Sequence, residues 1–105
     1  MKRTYNIQDE IKEQISSNDI ILYMKGVPER PECGFSAKAT QMLTSIGKPF
    51  AYINILVEPE IRANLHEVSD WPTFPQLFVN GELVGGCDIM TEMYDTGELS
   101  RLINE

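Results

Sequence analysis

The chain has little of what a secreted, nucleic-acid-binding or membrane-spanning protein needs. Only two of its 105 residues are cysteine, too few for a disulfide framework and in keeping with functional thiols in a reducing compartment. Basic residues are scarce, nine against 16 acidic, for a formal net charge of -7. A phosphate-backbone binder needs clustered Lys and Arg to displace counterions, so no nucleic acid is expected. No apolar run approaches the length of a spanning helix, so no membrane is expected either. The most basic pair, Lys2-Arg3, is followed by polar residues and by Asp9-Glu10. It heads neither an apolar leader core nor an acid-poor presequence, and the expected location is cytoplasmic. The single histidine, His66, has no ligand partner three or four residues away and reads as a surface or half-buried side chain rather than a metal ligand. Repeats, low-complexity segments and linkers are lacking too, and 42% hydrophobic residues suit one compact domain over residues 1–105.

What is present centres on Cys33-Gly34-Phe35-Ser36. The apolar run Ile20-Ile21-Leu22-Tyr23-Met24 ends in Lys25-Gly26, and the loop Val27-Pro28-Glu29-Arg30-Pro31-Glu32 leads directly to Cys33. This is a strand, a loop and a helix start. A thiol in the first helical turn meets unpaired backbone N–H groups and the positive end of the helix dipole, and both favour thiolate. Cys33 is thus read either as a reactive or metal-ligating thiolate or as a small buried apolar residue, and position alone leaves both open. Gly34 admits the close approach of another molecule. Ser36 stands where the second thiol of a Cys-x-x-Cys site would resolve a mixed disulfide, and a hydroxyl cannot do so. Any redox cycle on Cys33 must take its second thiol from elsewhere.

Ile7, Ile11 and Ile15 recur every fourth residue and predict a surface helix over residues 7–16, broken by Asn18-Asp19. The run Ile20 to Met24 suits a strand buried on both faces. Phe35, Ala39, Met42, Leu43 and Ile46 follow helical spacing, and Gly47 with Pro49 supplies the stop for a helix over residues 33–45. The strand over residues 50–54 would be parallel to the first, because a crossover helix joins them. Glu58-Pro59-Glu60 opens a third helix that carries Ile61, Leu65 and Val68 to Asp70. Trp71-Pro72-Thr73-Phe74-Pro75 interrupts regular structure before a strand at residues 76–79. Asn80-Gly81 is a type I′ hairpin signal leading to a strand at 82–84. Gly85-Gly86-Cys87-Asp88 passes into a helix marked by Ile89, Met90, Met93 and Tyr94, and Leu99, Leu102 and Ile103 form a last helical turn. A βαβ unit joined through a helix to a ββα unit predicts an α/β, thioredoxin-like fold, a four-stranded mixed sheet flanked by helices. In it Pro75 would face Cys33.

With these motifs in this order, the chain closely resembles the monothiol glutaredoxins of the Cys-Gly-Phe-Ser class, in their short single-domain bacterial form. The likeness runs from Ile20 to about Ile103 and rests on Met24-Lys25-Gly26, Pro28 to Pro31 before Cys33, Trp71-Pro72-Thr73-Phe74-Pro75-Gln76, and Gly85-Gly86-Cys87-Asp88. One position departs, Val27, where a small hydroxyl residue is expected. The resemblance implies a glutathione site and a [2Fe-2S] cluster bridging a homodimer. Such a cluster usually takes four thiolates; each chain would give Cys33 and each bound glutathione its own. By the same resemblance Lys25 and Arg62 would hold the glycine carboxylate of glutathione. Phe74 would offer its backbone to the cysteinyl part from a cis Phe74-Pro75 bond. Cys87 and Asp88 would bind the γ-glutamyl end, Cys87 through its backbone. Read without the family, Arg62 is a solvated helix residue, Lys25 a strand-end charge, Pro75 an ordinary trans edge proline, Cys87 a small buried residue, and Trp71 either core or partner surface.

Three readings follow. The first is an iron-sulfur carrier that passes its cluster to acceptor proteins, with a BolA-like protein as an expected partner. The second is a glutathione-dependent thiol-disulfide oxidoreductase with weak turnover, in which free glutathione resolves the product. The third is an interaction module with a structural Cys33.

Overall fold

The computed structural model describes residues 6–105, and Lys2-Arg3 lies outside them. Helix α1 (Ile7–Ser17) is capped by Asn6, whose side chain accepts the Asp9 N–H at 2.9 Å. That bond satisfies one of the donors a helix start leaves free. Strand β1 (Ile20–Met24) is buried at all five positions. Ile20, Leu22 and Met24 point into one core and Ile21 and Tyr23 into the other, as the strand period of two requires. Each such side chain contributes roughly 1.5–3 kcal/mol on burial, so β1 is the axis on which both cores are built.

Past Gly26 the structure departs from the expected loop. Residues Gly26–Val27 (β2) and Arg30–Pro31 (β3) form a two-stranded ribbon of their own. Helix α2 (Gly34–Ile46) follows, stopped by Gly47 in the left-handed region (φ 91°). Strand β4 (Ala51–Asn54) pairs parallel with β1, as the crossover predicts. Helix α3 (Pro59–Ser69) opens on proline and ends at Asp70, itself left-handed. Strands β5 (Gln76–Val79) and β6 (Glu82–Gly85) form the Asn80-Gly81 hairpin, both turn residues at positive φ as type I′ demands. Helices α4 (Cys87–Thr96) and α5 (Glu98–Asn104) close the chain, α5 being longer than the single turn expected.

The sheet order is β4-β1-β5-β6, with β5 antiparallel to both neighbours. This is the four-stranded mixed sheet flanked by helices, the thioredoxin-like arrangement. Buried residues of α2, α4 and α5 cover one face, and those of α1 and α3 the other. The polarity of the strands has one consequence for function. The C-terminal ends of β1, β4 and β6 and the N-terminal end of β5 all lie at the same end of the sheet, where their loops collect. Continuing the pairing of Tyr23 with Gln76 puts Pro75 level with Met24, at the exit of β1. Among the described residues, no helix is long and apolar enough to cross a membrane.

Candidate functional site

Cys33 is the N-cap of α2, in extended conformation (φ -155°, ψ 153°). Its Sγ accepts the Ser36 N–H at 3.3 Å and lies 3.4 Å from Ser36 Oγ. Ser36 is fully buried, and its Oγ accepts the Lys25 N–H at 3.0 Å. The Ser36 hydroxyl hydrogen is thereby left for the sulfur once Cys33 ionises. Burial opposes that ionisation. The Ser36 hydroxyl, the N–H groups of Ser36 and Phe35 and the charge of Lys25 outweigh it and hold the Cys33 pKa below the ordinary thiol value. Cys33 is partly exposed, Cys87 is buried, and both are free thiols. The reading of Cys33 as a buried apolar residue therefore fails, whereas the same reading of Cys87 fits its burial.

Beside Cys33 runs an open groove of about 660 Å³, and Lys25, Arg62, Phe74, Cys87 and Asp88 all line it. Five residues spread over 64 positions of sequence thus come together because β1, β5 and β6 deliver their loops to one end of the sheet. Cys33 itself is not in the groove wall; it adjoins the groove through Phe35, which lines it with a ring 62% exposed. Helix α4 starts at Cys87, with Gly86 as an N-cap that offers no side-chain hydrogen bond. Gly86, Cys87, Asp88 and Ile89 at its start line the same groove, an arrangement suited to an anion. The Phe74-Pro75 bond is cis, as the resemblance implies. His66 is a surface residue, its side chain 55% exposed and 4.0 Å from Glu67.

Two contributors came clear only in the structure, the first of them left open in the sequence as core or partner surface. Trp71 lines the groove and its indole lies against Gly86: a Cβ there would stand 3.1 Å from Trp71 Nε1 and 3.4 Å from the Pro75 carbonyl oxygen. Glycine at 86 therefore lets the indole approach the start of α4, for which the Gly-Gly pair was the only signal. The second is Asn54, whose Oδ1 accepts both the Gly26 N–H at 2.9 Å and the Leu56 N–H at 3.0 Å. An asparagine at a strand end is a turn signal, but nothing local shows that it reaches Gly26.

The family model for glutaredoxins matches residues 20–84. The chain belongs to the glutaredoxin family. It is 59% identical over 97 residues to Glutaredoxin 4 of Escherichia coli strain K12, covering 92% of this chain and 84% of that one. To Glutaredoxin 4 of Haemophilus influenzae it is 57% identical, covering 92% and 91%. Among solved structures it is similar to reduced apo GrxS14 of poplar, with a TM-score of 0.82 at 42% identity over 96% of this chain and 93% of that one. In this glutaredoxin, no group of three or more His, Cys, Asp and Glu among the described residues could hold a metal ion.

Proposed function

We propose that this glutaredoxin binds glutathione in the groove and, as a homodimer, carries a [2Fe-2S] cluster on two Cys33 thiolates and two glutathione thiolates. The cluster is cargo, passed on to acceptor proteins, with a BolA-like protein as a partner. The observation that carries this reading is a single, partly exposed thiol whose pKa is held low beside a groove whose wall mixes cations and a helix start. Glutathione has two carboxylates, one ammonium and one thiol. Lys25 and Arg62 supply charge-assisted bonds for the glycine carboxylate, and the first N–H groups of α4 suit the γ-glutamyl carboxylate. The Asp88 carboxylate suits its ammonium, and the backbone of Phe74 holds the cysteinyl portion between them. The bound thiol then stands beside Cys33, so one chain presents two sulfurs and two chains present four, the number such a cluster usually takes. Ligation half supplied by a dissociable tripeptide at a partly exposed thiol favours release over storage.

Anaerobic reconstitution of wild type and Cys33→Ser with iron, sulfide and glutathione tests this. A coloured dimer with about one cluster per two chains is expected, dependent on glutathione and absent in the variant. A colourless wild-type monomer would overturn the homodimeric carrier.

The lowered Cys33 pKa also supports a second reading, reduction of glutathionylated thiols. The Cys33 thiolate attacks the glutathione sulfur of a mixed disulfide and expels the substrate thiolate. A second glutathione thiolate then attacks the new disulfide, giving glutathione disulfide and regenerating Cys33. Rapid turnover of a model mixed disulfide with no cluster bound would put this reading first.

A further inference from the structure

The exit of β1 is held from several directions within three residues. The Met24 carbonyl accepts the Ile55 N–H at 2.9 Å, the Lys25 carbonyl accepts the Glu32 N–H at 2.9 Å, and the Lys25 N–H is taken by Ser36 Oγ at 3.0 Å. The Gly26 N–H goes to Asn54 Oδ1. Asn54 receives two backbone N–H donors at one side-chain atom, so that atom is the oxygen, since the amide nitrogen cannot accept. Asn54 is half-buried at the end of the edge strand β4. Its bond to Gly26 joins β4 to the start of the ribbon and fixes the peptide that follows Lys25. Lys25 in turn lines the groove.

We infer that Asn54 is a positioning residue for ligand binding: by holding the Gly26 N–H it sets where Lys25 presents its ammonium, and so the affinity for the glycine carboxylate of glutathione. The inference rests on the glutathione reading above. It also separates the glycine end of the ligand from the rest, because the first turn of α4 and Asp88 lie on other elements and do not depend on Asn54. Leucine at 54 keeps the size and removes the acceptor, while aspartate keeps an acceptor oxygen for both donors.

The experiment is calorimetric titration of the full-length apo protein with reduced glutathione and with γ-glutamylcysteine, which lacks the glycine. Wild type should bind glutathione the more tightly. Asn54→Leu should weaken glutathione about tenfold, as for the loss of the one Lys25–carboxylate bond, leave γ-glutamylcysteine unchanged, and thus narrow the discrimination to what Arg62 retains; Asn54→Asp should restore it. A folded Asn54→Leu protein that still prefers glutathione as wild type does would overturn the inference and leave the glutathione reading standing. A wild type that does not prefer glutathione would overturn the placement of the glycine carboxylate on Lys25, and the inference with it. Amide hydrogen exchange on the wild-type protein gives a test that needs no variant. A protected Gly26 amide supports the bond to Asn54, and an amide exchanging as fast as the exposed Gly81 amide overturns it.

Discussion

Two antiparallel ribbons with two-residue turns, β2–β3 and β5–β6, show opposite ways of specifying a backbone. The β5–β6 hairpin is written locally: Asn80 and Gly81 both take positive φ, and Leu77, Phe78 and Val79 are buried in the two cores. The β2–β3 ribbon buries no core side chain. Its position depends on Gly26 at φ 93°, on the Asn54 and Ser36 side chains that grip its root, and on the Glu32 N–H. A turn that pins a core strand can be read from its own residues, but a ribbon that shapes a site is held by partners from distant sequence. The ribbon is also the one that leads to Cys33.

Glycine substitutions break this comparison most sharply, because Gly26 and Gly81 share a left-handed φ and differ only in surroundings. A Cβ on Gly26 would lie 2.6 Å from the Arg30 carbonyl oxygen and 2.8 Å from the Glu32 nitrogen, both backbone atoms. Gly26→Ala should therefore cost on the order of 3 kcal/mol in urea unfolding, conformational strain and collision together. A wild-type midpoint for this variant would show that the ribbon moves freely.

Ser36→Ala tests the tie between ribbon and thiol. It leaves the Lys25 N–H without the Ser36 oxygen and should cost about 2 kcal/mol, the penalty of an unmet buried donor. It also has a pH signature. The wild-type Cys33 pKa is lowered, so the thiolate forms at lower pH than in an ordinary thiol; removing the hydroxyl and its hydrogen bond moves the midpoint upward. The rate of iodoacetamide alkylation against pH should shift to higher pH in Ser36→Ala. An unchanged profile would remove the hydroxyl from the account of Cys33 reactivity.

Gly81→Ala should be the mildest of the three. Nothing lies within 4 Å of its Cβ position, so only the left-handed conformation is penalised, about 1 kcal/mol. A loss as large as that of Gly26→Ala would erase the distinction between the two ribbons.

Much of the fold was legible in the residues themselves. The isoleucine stripe of α1, the glycine stop after α2, the proline entry to α3 and the Asn-Gly hairpin each act within a few residues, where spacing and backbone preference decide the outcome. The double burial of β1 was visible in its unbroken apolar run, and the crossover rule then set β4 parallel. Cys33 at the head of α2 was legible for the same local reason. Lys25, Arg62, Phe74, Cys87 and Asp88 carried no mark of common purpose in their spacing, and only the motif resemblance joined them. What puts them in one groove is the polarity of four strands, a property of the assembled sheet.

The ribbon before Cys33, the Asn54 bond to Gly26 and the seat of the Trp71 indole on Gly86 were beyond sequence reading. The last two depend on side chains 28 and 15 residues from the backbone they contact. A local pattern records the torsions a residue prefers and the face it buries. It does not record which distant donor an asparagine oxygen meets, because that is settled only when the β1–β4 and β1–β5 pairings bring the loop ends together. The elements and the place of the Cys33 thiol follow from short-range preference, whereas the shape of the groove and the setting of Lys25 follow from long-range hydrogen bonds that exist only in the folded chain.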